Sequence, residues 1–197
     1  MAVLLKDTPS FIRNSIILAG LIHMYHLPDL REGIEWDEGK ADLYTFGLNY
    51  DNENFKYVTI GVSSLHFPGG QSINHEIEIS LSKNNVMIPH DDIHSMLTNI
   101  VLGIQQDEII LRDEEIINVE DVIPCGWNTT LLLVRQRITE SGKPISWSVR
   151  DQMISLFSLI PIYAEEAEII SSIGSQEFER ACTLSGIDLS NPSRLSL

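Results

Sequence analysis

The chain has 197 residues, 43% of them apolar and 21% charged, with 12 Gly and 8 Pro. That balance excludes a disordered or collagenous chain, and a chain of this length buries enough surface to build a core without metal or disulfide. Thirteen Lys and Arg against 28 Asp and Glu leave a net charge of −15, which repels phosphate backbones and argues against nucleic acid as a direct ligand.

Cys125 and Cys182 are the only cysteines, too few for a disulfide framework or a ligand quartet, so a reducing, cytoplasmic setting is expected. The longest apolar run, residues 15–22 (SIILAGLI), is far short of the roughly 20 residues a membrane helix needs. Asp7 dilutes the basic start and no small-x-small cleavage site follows, so neither a signal peptide nor a span is predicted.

Taken in order, Pro9-Ser10 precedes FIRNSIILAGLIHMY, in which Phe11, Ile12, Ser15, Leu18, Ala19, Ile22 and Tyr25 recur at helical spacing and predict an amphipathic first helix. Residues 28–40 (PDLREGIEWDEGK) carry five acids, two Gly and a Pro, which reads as an exposed connection. ADLYTFGLNY, KYVTIGVSSLHF and NHEIEISL follow, separated by DNEN and Pro68-Gly69-Gly70, and predict three antiparallel strands. In the third, Ile77, Ile79 and Leu81 alternate with Glu76, Glu78 and Ser80, the pattern of a sheet with one buried and one wet face.

His90-Asp91-Asp92 opens a second helix whose Ile93, Met96, Leu97, Ile100, Val101 and Ile104 form an apolar stripe. Seven acids lie between Asp107 and Asp121 with Arg112 as the one base, and the segment is expected on the surface. TTLLLVRQRI predicts another strand, and MISLFSLIPIY, apolar on both parities until Pro161, a central strand buried on both faces. Glu165, Glu166 and Glu168 open a helix that Gly174 stops, and QEFERACTLSG restarts it. The fold class is α+β: a mixed, mainly antiparallel sheet with helices packed on one side, in a single domain over residues 1–197.

No catalytic motif stands out. Gly61-Val62-Ser63-Ser64 lacks the closing Gly of a nucleophile elbow, and no glycine-rich phosphate loop is present, so no cofactor is expected. His90 and His94 lack the H-E-x-x-H pattern and read as a cap and a surface residue; His23 and His26 sit at a helix C-terminus, where the dipole accounts for them. No metal site is expected. Glu76 and Glu78 share a sheet face and, with His66 or His75 across the turn, make a hydrolase the rival reading; charge on a solvated sheet face is the plain one. Trp36, Trp127 and Trp147 all stand beside turn residues, as core caps or as interface anchors.

NFKYVTIGVSSLHF followed by NHEIEISL resembles the Suppressor of Fused-like family, in which an aromatic-led strand ends in a Gly-hydrophobic-Ser step and a Glu-hydrophobic-x-hydrophobic strand follows. The matching residues are Tyr57, Gly61, Val62, Ser63, Glu76, Ile77 and Ile79. ISLFSLIPIYAEEAEI, with Pro161, is similar to the family's strand running into a Pro turn and a Glu-rich helix, and Asn191-Pro192-Ser193-Arg194 to its closing Arg-containing tail. The resemblance covers residues 41–197, leaving 1–40 as a helix and an acidic connection. Residues 105–128 depart from the family's aromatic, His-containing stretch, with only Trp127 in common.

The family's animal member carries a further domain and clamps a transcription-factor peptide as an added strand. The resemblance implies instead a bacterial single-domain member, a class regarded as immunity proteins that neutralise toxins. A −15 surface suits a basic toxin domain as partner, and the candidate contacts are Asp113, Glu114, Glu115, Glu120, Asp121, Trp127, Glu165, Glu166 and Glu168. An adaptor or chaperone that binds a segment at an open sheet edge is the remaining alternative.

Overall fold

The first helix meets the sheet with a different side from the one its sequence stripe predicts. A computed structural model describes residues 8–36, 39–48, 53–65, 73–83, 90–106 and 108–197. Helix α1 (Thr8–Tyr25) buries Ile17 and Leu21 completely, with Leu18, Met24 and Tyr25 packed beside them. Phe11 and Ile12, placed on the core stripe by spacing, are exposed instead. A helix apolar on nearly every side has no pattern to fix its rotation, so tertiary contacts choose it.

Strands β1 (Leu30–Trp36), β2 (Gly39–Phe46), β3 (Asn54–Ile60) and β4 (His75–Ser82) form an antiparallel meander. The expected meander is present, but the stretch predicted as a connection contributes β1, paired with β2 along its whole length. Only Ile34 of β1 is buried, and Arg31, Glu32 and Glu35 sit on a sheet-edge strand, where charge discourages further pairing.

Helix α2 (His90–Gln105) buries all six residues of its predicted stripe. Strand β5 (Ile116–Asn118) lies inside the acidic segment, followed by β6 (Leu131–Gln136), β7 (Ser146–Val149), β8 (Gln152–Ile162), α3 (Ala164–Ile173) and α4 (Ser175–Leu184). Among the described residues the sheet runs β1-β2-β3-β4-β8-β6-β5, with β7 also on β8. Strand β8 is central, parallel to β4 and antiparallel to β6. Pairing with β4 ends at Leu159, while Pro161 stays in register with Leu132 of β6.

The class is α+β and the sheet mainly antiparallel, but the helices cover both faces rather than one. Tyr57, Ile77, Ile79, Leu132 and Leu159 pack against α2. Alternate residues on the same strands point the other way: Val58, Ile60 and Leu156 meet α1, and Leu133 and Ile162 meet α3 and α4. Trp147 of β7 lies so close to α1 that a Cβ at Gly20 would stand 2.0 Å from its indole nitrogen, which is why a glycine occupies that turn of the helix.

Candidate functional site

Because both faces are covered, Glu76 and Glu78 do not meet water; both are fully buried. The wet face expected of β4 is absent. The Glu76 carboxylate accepts from Thr59 Oγ1 (3.0 Å), Ser63 Oγ (2.6 Å) and the backbone N–H groups of Gly61 (3.0 Å), Val62 (3.2 Å) and Ser63 (3.1 Å). Those N–H groups open a short 3₁₀ turn, Val62–Ser64, after Gly61 at φ +117°. Few residues other than glycine hold that conformation. The Gly-hydrophobic-Ser step and the Glu of the next strand are therefore two halves of one staple. Burial pushes the Glu76 carboxyl above its ordinary range, and the hydrogen bonds from Ser63, Gly61 and Thr59 pull against that.

A general acid needs access to substrate, and Glu76 has none. Nor does its predicted helper face it. His75 is adjacent in β4 and so projects to the opposite face. Its ring packs edge-on to Phe157 at 5.0 Å, Nε2 is buried without a partner, and burial lowers its pKa to about 4. His66 and the Pro68-Gly69-Gly70 turn lie outside the described residues. The Glu76 hydrolase reading fails on geometry.

Glu78 lies in a transverse row with Val58, Ser158 and Arg135, in the polar gap between α1 and the α3–α4 layer. Tyr25 of α1 donates to its carboxylate, with Arg137 Nε at 3.5 Å and Lys56 Nζ at 3.8 Å. Burial and the neighbouring carboxylate hold the Tyr25 phenol protonated, and burial lowers the Lys56 pKa. Tyr57 reaches from β3 to the start of α2, its hydroxyl 2.6 Å from His90 Nδ1.

The predicted contact acids divide by burial. Glu166, offered as a partner contact, is fully buried: it pairs with Arg194 at 2.6 Å and accepts from the backbone N–H groups of Tyr163 (3.0 Å) and Leu197 (3.1 Å). Tyr163 in turn donates its hydroxyl to the Arg194 carbonyl. This clamp holds the C-terminal segment onto α3 and makes Arg194 a structural residue. Glu165 and Glu168, its neighbours, are exposed.

Asp113, Glu114, Glu115, Glu120 and Asp121 are all exposed. Asp113 and Glu114 converge with Glu179 of α4 on the Arg135 guanidinium, at 3.2, 3.2 and 2.5 Å, leaving three carboxylates on one cation. Glu179 and Arg135 carried no sequence signal, because 44 residues separate them. Glu120 and Asp121 border a groove of about 490 Å³ between the end of α2 and β5, with Glu108, Asn99, Gln106 and Asn118 also lining it. Oxygen acceptors and acids on its walls suit a donor-rich, basic segment. Trp127 is half-buried against the α2 core with its indole nitrogen buried, so it supports the surface from below.

Other sites offer less. At the outer edge of β1, the Gly33 carbonyl lies 3.3 Å from His94 Nε2 of α2. Among the described residues no group of three or more His, Cys, Asp or Glu is placed to hold a metal ion, and no helix is long and apolar enough to cross a membrane.

The model of the Suppressor of fused protein (SUFU) family matches residues 39–195. The chain belongs to the SUFU family. Solved structures agree on the fold. A putative SUFU homologue from Neisseria gonorrhoeae superposes with a TM-score of 0.63 at 15% identity, over 94% of this chain and 97% of that one. The Sufu–Fu complex gives 0.66 at 15%, over 93% and 91%. Drosophila Suppressor of Fused gives 0.63 at 14%, over 93% of this chain and 51% of that one. No curated protein sequence matches this SUFU chain.

Proposed function

We propose that this SUFU chain is a non-catalytic, protein-binding domain that acts in the cytoplasm as an immunity protein, masking the active face of a basic toxin domain. The observation that carries the reading is the separation of its acids. Glu76, Glu78 and Glu166 are buried, while Asp113, Glu114, Glu115, Glu120 and Asp121 stay exposed, the last two at the border of an acid-lined groove. A solved relative, the Sufu–Fu complex, is an assembly of two proteins, and a protein partner is the natural extension. Complementary charge speeds encounter toward about 10⁸ M⁻¹s⁻¹, which serves an inhibitor that must reach its target first.

The test is to look in the adjoining reading frames for a basic C-terminal toxin domain and to co-express it with this chain. A 1:1 complex that abolishes that domain's toxicity is expected, and Glu120→Lys with Asp121→Lys should release it without unfolding the chain. Protection that survives the double reversal, or substrate turnover by the purified chain alone, contradicts the proposal.

A further inference from the structure

A second cleft, of about 720 Å³, opens between the first half of α1 and the β1–β2 hairpin. It is larger than the acidic groove and shares no lining residue with it. Its volume falls in the range of sites that hold small ligands. We propose that it binds a small aromatic anion carrying an N–H or O–H donor, a ligand class unrelated to the basic partner of the acidic surface.

Charge sets the sign of the ligand. The molecule holds 28 acids against 13 bases, yet this cleft is lined by Arg31 and Lys40 with Asp42 as its one acid. Glu35, opposite Lys40 across the hairpin, does not line it. Nη2 of Arg31 donates to Asp42 Oδ2 at 2.9 Å, and its guanidinium carbon lies 5.8 Å from the Tyr44 ring centroid. The guanidinium fork is thereby held in place with donors to spare for a ligand. Lys40 is exposed and joins no ion pair among the described residues.

The walls set the rest of its chemistry. The Trp36 indole lies across Gly39 so closely that a Cβ there would stand 2.8 Å from Cζ2, so glycine gives the ring its seat. Phe11 lines the cleft from α1 and is 72% exposed. Among the described residues neither ring stacks on another, which leaves aromatic surface for a flat ligand. Asn14 lines the cleft too, and its Oδ1 is buried without a hydrogen-bond partner. A buried acceptor left unmet is costly, and a ligand N–H or O–H meets it. Ser64, in the turn that Glu76 staples, and Ala41, packed against Gly61, complete a wall that a ligand need not order.

Two probes test this: 8-anilinonaphthalene-1-sulfonate, an aromatic anion with one N–H, and N-phenyl-1-naphthylamine, the same rings and N–H without the sulfonate. In fluorescence titrations of the full chain the sulfonate should bind one per chain, and the neutral probe at least about tenfold more weakly. Lys40→Glu should weaken the sulfonate about fivefold or more with an unchanged melting temperature, and Asn14→Ala about fivefold. Ser15→Trp, which fills the cleft from an exposed position on α1, should abolish binding. In heteronuclear NMR spectra the indole N–H of Trp36, assigned by Trp36→Phe, should shift. Glu120→Lys with Asp121→Lys should leave all of these results unchanged, so this proposal and the toxin reading fail separately. Equal affinity for the two probes, binding indifferent to Lys40→Glu, Asn14→Ala or Ser15→Trp, or an unshifted Trp36 overturns the proposal.

Discussion

Glu165 and Glu166 are chain neighbours with opposite fates. Glu165 faces water, whereas Glu166 is sealed under Arg194 and the last residues of the chain. The same contrast runs through the molecule, between the interior carboxylates Glu76, Glu78 and Glu166 and the exposed acids around the α2 groove and Arg135. A buried carboxylate is tolerated only where donors meet it, and it then holds the fold together. An exposed one contributes little to folding and remains free to recruit a partner.

Removing the interior members should break the fold side of this contrast first. Glu76→Ala strands three backbone N–H groups and two hydroxyls, and a loss of about 4 kcal/mol is expected in urea unfolding. Arg194→Ala leaves Glu166 buried and unpaired; about 3 kcal/mol is expected, with Glu166→Gln in the same chain restoring part of it.

A smaller effect sharpens the same point through pH. The folded pKa of His75 is lowered from 6.5 to about 4, so the unfolded chain takes up the proton first as pH falls. His75 costs no stability above about pH 6.5, and between there and about pH 4 the chain should lose roughly 2–3 kcal/mol. His75→Phe should flatten that slope in a pH series of melts. At the bottom of the scale, Glu115→Gln, Glu120→Gln and Asp121→Asn should each change stability by less than about 0.5 kcal/mol. A cost above about 1 kcal/mol in any of them would place that acid with the interior group.

Much of the scaffold was legible in the sequence. All six stripe residues of α2 are buried, β2 to β4 follow their turn signals, and Gly174 parts α3 from α4. Elsewhere a rule met its limit. Period-two alternation reports which residues share a face of β4, but not that α1 arrives from 50 residues upstream to cover the Glu face, so Glu76 and Glu78 read as solvated. Strand β1 was hidden because charge belongs on an edge strand as much as in a loop. For the candidate site, the acids were visible as charge, whereas their sorting by burial was not, since the partners Arg135, Arg194 and Ser63 become neighbours only through the fold.

The central claim is that the exposed acids recruit a basic partner while the buried ones hold the fold. Its most direct test is the association rate with the basic toxin domain proposed above as the partner, as a function of ionic strength, for the natural chain and for Glu120→Gln with Asp121→Asn. The account predicts a steep fall with salt for the natural chain and a shallower one, from a lower starting rate, for the variant. Superimposable salt dependences would contradict it.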